Sequence, residues 1–196
     1  MAIFLRMIAM FLFLSISGCL ENKELVDIVF DRETSYNTKS TDVTMLVSDS
    51  GITRYKMETK EWYSFEEATD PYWYLPEKIH GVILDSLTFQ PEASFDADTA
   101  YYYSKKKLWK FINNVKAVNQ EGEQFETELL YWDENEGKIW SDQFIRITRG
   151  DFVNTGTGFE SNQTLSKYRI LNATAEIPIQ ENTPADTINE ENAPPP

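Results

Sequence analysis

From Val43 to Ile179 apolar and polar residues alternate with a period of two, and turn-forming residues interrupt the alternation roughly every ten to fifteen positions. Period two is the signature of a strand with one buried face. No segment carries a convincing helical stripe. The pattern therefore predicts an all-β fold: an antiparallel meander closing as a jelly roll or open sandwich.

The strands can be placed one by one. Asp42 to Val47 and Ile52 to Met57 form a hairpin around Ser48-Asp49-Ser50-Gly51. Tyr72 to Pro76 is aromatic and proline-bounded, which predicts an irregular crossing. Val82 to Phe89 alternates again, and Pro91 to Phe95 breaks the pattern. Ala100 to Tyr103 and Leu108 to Val118 flank a charged turn at Ser104 to Lys107. After a turn at Gln120 to Glu123, Phe125 to Trp132 places Phe125, Thr127, Leu129 and Tyr131 on one face. Beyond the turn at Asp133 to Gly137 come Ile139 to Trp140 and Phe144 to Thr148, with Ile145 and Ile147 on a shared face. Asp151 to Asn154 is short, Gly156-Thr157-Gly158 marks a bend or bulge, and Leu165 to Leu171 closes the series.

The ends differ in kind from this body. Arg6 precedes an apolar run, Met7 to Ile16, that is too short to span a bilayer core of about 20 residues. Ser17 and Gly18 then precede Cys19, the chain's single cysteine. Residues 1–18 read as a lipoprotein signal, with Cys19 the lipidated residue. A plain signal peptide or a short membrane helix is the competing reading. Residues 19–40 form a polar tether and 41–179 the β domain. Residues 180–196 are acidic, end in three prolines and have almost nothing to bury, which predicts a disordered tail. Without a second cysteine no internal disulfide forms, so the fold must rest on its core.

Composition narrows the function. The formal charge of −14 disfavours nucleic acid and anionic headgroups, although solubility alone also explains it. Aromatic residues make up 14% of the chain, which suits strands and apolar surfaces. His80 is the only histidine, so a His-based metal or catalytic site lacks partners. Asp96 and Asp98 lie close in sequence, but a paired-carboxylate site needs distant contributors that the sequence does not place. Neither a G-x-S-x-G elbow nor a phosphate-binding glycine loop is present. Lys105-Lys106-Lys107 reads as a solvated turn, with contact to a lipid phosphate the sharper alternative. These features predict a non-enzyme without metal or cofactor.

One ordered set of motifs goes further. Ala97-Asp98-Thr99-Ala100-Tyr101, Lys107-Leu108-Trp109, Asn114-Val115-Lys116-Ala117 and Gly122-Glu123 come first. Thr127 to Asp133, Lys138 to Asp142, Ile145-Arg146-Ile147 and Gly156 to Ser161 follow. Upstream, Val47 to Ile52 and Leu75-Pro76-Glu77 join them. In order and spacing this set resembles the LptC family of lipopolysaccharide export, including forms with a lipobox. The resemblance implies a single twisted antiparallel β jelly roll with a slit-like apolar interior. That interior would receive lipopolysaccharide acyl chains from an LptB, LptF and LptG ABC transporter. It also implies an edge strand docking an LptA-like periplasmic protein, with hairpin 43–57 and strands 159–179 as the candidate edges. The site would be periplasmic, with the lipid anchor in the inner membrane favoured and the outer membrane possible. Well-known members keep an uncleaved membrane helix, and the acidic tail is an addition here. A lipoprotein module for ligand binding or envelope assembly is the alternative function.

The chemistry fits. Moving an acyl chain of about twelve methylenes through water costs on the order of 10 kcal/mol, so a carrier must shelter it. The inward positions expected to do so are Val115, Phe125, Leu129, Tyr131, Ile139, Ile145, Ile147, Phe159 and Leu165. The same residues would form the core of any sandwich.

Overall fold

A computed structural model describes residues 31–176. The signal segment, Cys19, most of the tether and the tail lie outside the described residues. Eleven antiparallel strands form one sheet. They are β1 (Thr38–Asp49), β2 (Ile52–Phe65), β3 (Tyr72–Leu75), β4 (Ile79–Leu84), β5 (Pro91–Ala97), β6 (Thr99–Tyr103), β7 (Leu108–Asn119), β8 (Gln124–Asp133), β9 (Lys138–Arg149), β10 (Phe152–Asn162) and β11 (Tyr168–Glu176). The all-β expectation is met. The fold starts earlier than residue 41: Asn37 Oδ1 accepts the N–H of Glu66 at 2.6 Å, and β1 is paired from Thr38.

Several local expectations are corrected. Tyr72 to Leu75 is a strand, because it is paired on both sides, by β2 and by β6. Pro91 opens β5 instead of breaking it, since a proline is tolerated as the first residue of a strand. The run from Val82 stops at Leu84, where the Asp85 carboxylate accepts the N–H groups of Leu87 at 3.1 Å and Thr88 at 2.7 Å and turns the chain. The two short segments at 139–148 are one strand, β9, and the bend at 156–158 lies inside β10.

The sheet is organised by a transverse seam. β3 and β4 lie end to end against β2, and β5 and β6 end to end against β7. Every neighbouring pair of segments from β2 to β10 shifts register by one residue at this mid-strand line. Tyr63 faces Tyr74 but Thr59 faces Ile79; Ile112 faces Leu129 but Val115 faces Thr127. Asp42, Lys78, Asn113 and Asn114 sit on the line with φ of 51°, 42°, 63° and 49°. Such left-handed conformations suit asparagine and aspartate better than most residues. Because strand side chains alternate, a one-residue offset within a strand moves its buried set by one position. This happens in β2 and β8, whereas β7 and β9 keep odd-numbered residues inward on both sides of the seam. In β2 the inward set runs Tyr55, Met57, Thr59 and then Trp62, Ser64. In β8 it runs Phe125, Thr127 and then Leu130, Trp132.

The seam divides the sheet into two leaves. Leaf A contains β3, β6 and the 108–112, 130–133, 138–141 and 159–162 parts of the longer strands. Leaf B contains β4, β5 and the 52–59, 115–119, 124–127 and 145–149 parts. The leaves face each other. Phe95 of leaf B lies 4.6 Å from Phe111 of leaf A, Tyr55 lies 5.1 Å from Trp132, and Phe125 lies 5.5 Å from Phe159. The core between them is continuous. Gly81 is required in leaf B, because a Cβ there would fall 2.0 Å from the Phe95 ring.

Candidate functional site

The site with functional potential is the space between the leaves and the rims that close it. Seven of the nine expected inward residues line that space. Val115, Phe125, Ile139, Ile145, Ile147, Phe159 and Leu165 are all at most 4% exposed. Leu165 reaches it from the β10–β11 loop, at φ 58°, and not from a strand.

Leu129 and Tyr131 are placed differently. The slip in β8 turns them to the outer face of leaf A, while Leu130 and Trp132 take the inner positions. Tyr131 stacks on Trp140 at 5.2 Å, and Lys110 Nζ lies 5.8 Å from its ring centre. Tyr131 and Trp140 continue an outer row that runs through Lys110 to Tyr101 and Tyr74, the last two stacked at 4.9 Å. The expectation that Phe125, Thr127, Leu129 and Tyr131 share one face is therefore wrong beyond Thr127.

At the rims opposite the seam the leaves are joined by side chains. In the β8–β9 turn, Glu134 accepts hydrogen bonds from the Tyr55 hydroxyl of leaf B, from Trp109 Nε1 at 2.8 Å and from the Tyr102 hydroxyl at 3.3 Å. At the other end, Asn119 Nδ2 donates to Glu123 Oε2 at 2.8 Å and to the Leu165 carbonyl at 3.2 Å. Tyr168 donates to Glu123 Oε1 at 3.3 Å, and Arg149 approaches the same oxygen at 3.4 Å. Glu123 is 5% exposed, so these partners are what make its burial tolerable. Between the rims beside β2 and β8 a cavity of about 570 Å³ remains.

The rims also govern the phenols. Burial, reinforced by Glu134, pushes the Tyr55 hydroxyl far above its ordinary value and that of Tyr102 up to about 12. Burial and then Glu123 raise Tyr168. An unfolded chain loses its phenol protons near pH 10, so above about that pH the folded chain binds more protons and its stability falls. Denaturant melts taken across this range should show that decline, and Tyr55→Phe should flatten it. A profile equally steep in Tyr55→Phe would mean that this hydroxyl is not held by the rim.

Sequence reasoning did not find Glu134, Tyr55, Asn119 or Glu123. Glu134, Asn119 and Glu123 sit in or beside turns, where alternation carries no information about burial; Tyr55 lies within β2, and its partner Glu134 is far away in sequence. The residues weighed for other chemistry fall outside this site. His80 is in β4 and faces outward, with Nδ1 2.8 Å from Asp96 Oδ1. Lys106 pairs with Asp70, and Lys105 donates to the Thr69 carbonyl at 3.0 Å. Lys107 lines the cavity between the rims. Among the described residues no group of three or more His, Cys, Asp or Glu is arranged to hold a metal ion.

Residues 4–176 match a family model described as lipopolysaccharide-assembly, LptC-related. No curated protein matches the chain.

Proposed function

Because the chain belongs to the LptC-related family of lipopolysaccharide-assembly proteins, we propose that it shelters lipopolysaccharide acyl chains between its two leaves and hands them across the periplasm. Family membership makes it a bridge component of lipopolysaccharide transport, periplasmic and associated with the inner membrane, and not a member of an enzyme family. The finer steps are our reading. An ABC transporter of the LptB, LptF and LptG kind loads the interior, an LptA-like protein receives the cargo, and Cys19 carries the lipid that anchors the chain.

The observation that carries this reading is the interior itself. Two apolar faces meet there, and the bonds between their rims come from side chains and not from backbone ladders. The described state is closed, with Phe125, Ile145, Ile147 and Phe159 packed together. Cargo would enter when the leaves part about the seam, where the ladder is already interrupted. Docking draws on the sheet's ends. β1 pairs only with β2 and β11 only with β10, so each presents an edge that a further strand can extend.

Photocrosslinking in cells tests the proposal. A photoreactive residue at Phe159 or Ile147 is expected to capture lipopolysaccharide, and capture should stop when ATP is depleted. Capture of a protein or another glycan alone would support the alternative, an envelope-assembly module.

A further inference from the structure

We propose that the cavity at the rims beside β2 and β8 is the port by which an acylated glycolipid enters the interior, with Glu134 as its latch and the Trp132 indole as the buried donor at its inner wall. This rests on the lipopolysaccharide-transport reading and deepens it.

The cavity lies between the leaves. Arg54 and Tyr55 line it from leaf B, and Lys107, Trp132, Glu134 and Gln163 line it from leaf A. Its outer wall carries both signs of charge: Arg54 lies 3.7 Å from Asp49, and Asp85 and Glu92 share the rim. That wall suits a hydrated sugar head without selecting an anion. Its inner wall is aromatic and leads into the core, since Trp132 meets Tyr55 at 5.1 Å and Phe95 at 6.1 Å, and Phe95 meets Phe111. A molecule with a polar head and apolar tails therefore finds both halves of its surface matched in order.

Two observations make this a port. The Tyr55–Glu134 hydrogen bond ties leaf B to leaf A here, and it can break without disturbing a backbone ladder. Trp132 is 3% exposed, yet its Nε1 has no acceptor. A buried donor left unpaired in a native state calls for a partner. The ester or amide carbonyl that joins an acyl chain to its sugar supplies one at this depth. The opposite rim lacks this character. There Leu165, 1% exposed, caps the interior, and Asn119, Tyr168 and Arg149 hold Glu123.

The test uses the full chain in detergent micelles and fluorescently labelled, purified lipopolysaccharide. Tyr55→Phe keeps the ring and removes the donor, and one lost hydrogen bond should speed uptake about fivefold. Trp132→Phe removes the N–H and should weaken equilibrium binding by about the same factor. Ser86→Cys with Lys107→Cys, bridged by a short bismaleimide across the rims, should block uptake, while either single variant treated with the reagent should not. Circular dichroism checks that each variant is folded. Binding by the unmodified chain that is indifferent to the bridge and to Tyr55→Phe would overturn the port and leave the transport reading standing. No binding by the unmodified chain would overturn both.

Discussion

Phe111→Ala is expected to lower the stability of the domain by about 3–5 kcal/mol, the range for deleting a fully buried phenylalanine. Phe111 is 0% exposed. Its ring lies parallel to that of Trp109 at 5.7 Å and meets Phe95 across the leaves at 4.6 Å. The hole left by its removal would be hard to refill. Phe95 already occupies the space over Gly81 that any other residue's Cβ would take. Trp109 is held by its indole bond to Glu134. Domains of this size are stable by about 5–15 kcal/mol, so the loss would be a large share of the total. Urea melts of the wild type and the variant measure it. A midpoint shift equivalent to less than about 1 kcal/mol would mean that the leaves do not pack as described.

How much of this was legible in the sequence depended on whether a strand changes parity at the seam. Alternation identified Ile139, Ile145 and Ile147 as inward, because β9 keeps the same parity on both sides of the seam. It also identified Phe125 and Thr127. It then failed at Leu129, since period two has no memory of a one-residue offset and counts straight through it. Clues to the slip were present in Asp42, Asn113 and Asn114, residue types that tolerate left-handed backbone. They are common enough on strand surfaces that no single one signals a break. Only their alignment across neighbouring strands does, and alignment is a property of register and not of sequence. Tyr72 to Leu75 was misread for a related reason: four residues beside a proline look like a loop until two partner strands are in place.

The rim residues were hidden by a different physics. Glu123 and Glu134 occupy turns, where charged residues are expected and carry no information. Their importance comes from partners 45 and 79 positions away, Tyr168 and Tyr55. Burial of a carboxylate is set by what folds over it, so composition near the turn cannot report it.

Because the slip separates residues that alternation would equate, two aspartate substitutions give opposite results. Val115→Asp should destabilise the domain by about 4 kcal/mol and abolish lipopolysaccharide capture, because it strands a charge inside the sandwich. Val115 is 1% exposed and lies beside the seam on the inner face; its strand neighbour Lys116 points outward. Leu129→Asp should cost about 1 kcal/mol or less and leave capture intact, since Leu129 is half-buried on the outer face. Counting by twos from Phe125 instead puts Leu129 inside and predicts equal, large losses. Denaturant melts of the two variants, paired with crosslinking from Phe159, decide between these outcomes. A Leu129→Asp loss as large as that of Val115→Asp would remove the seam, and with it the hinge on which the parting of the leaves depends. A folded Val115→Asp domain that still captures lipopolysaccharide would remove the interior as the place where the acyl chains lie.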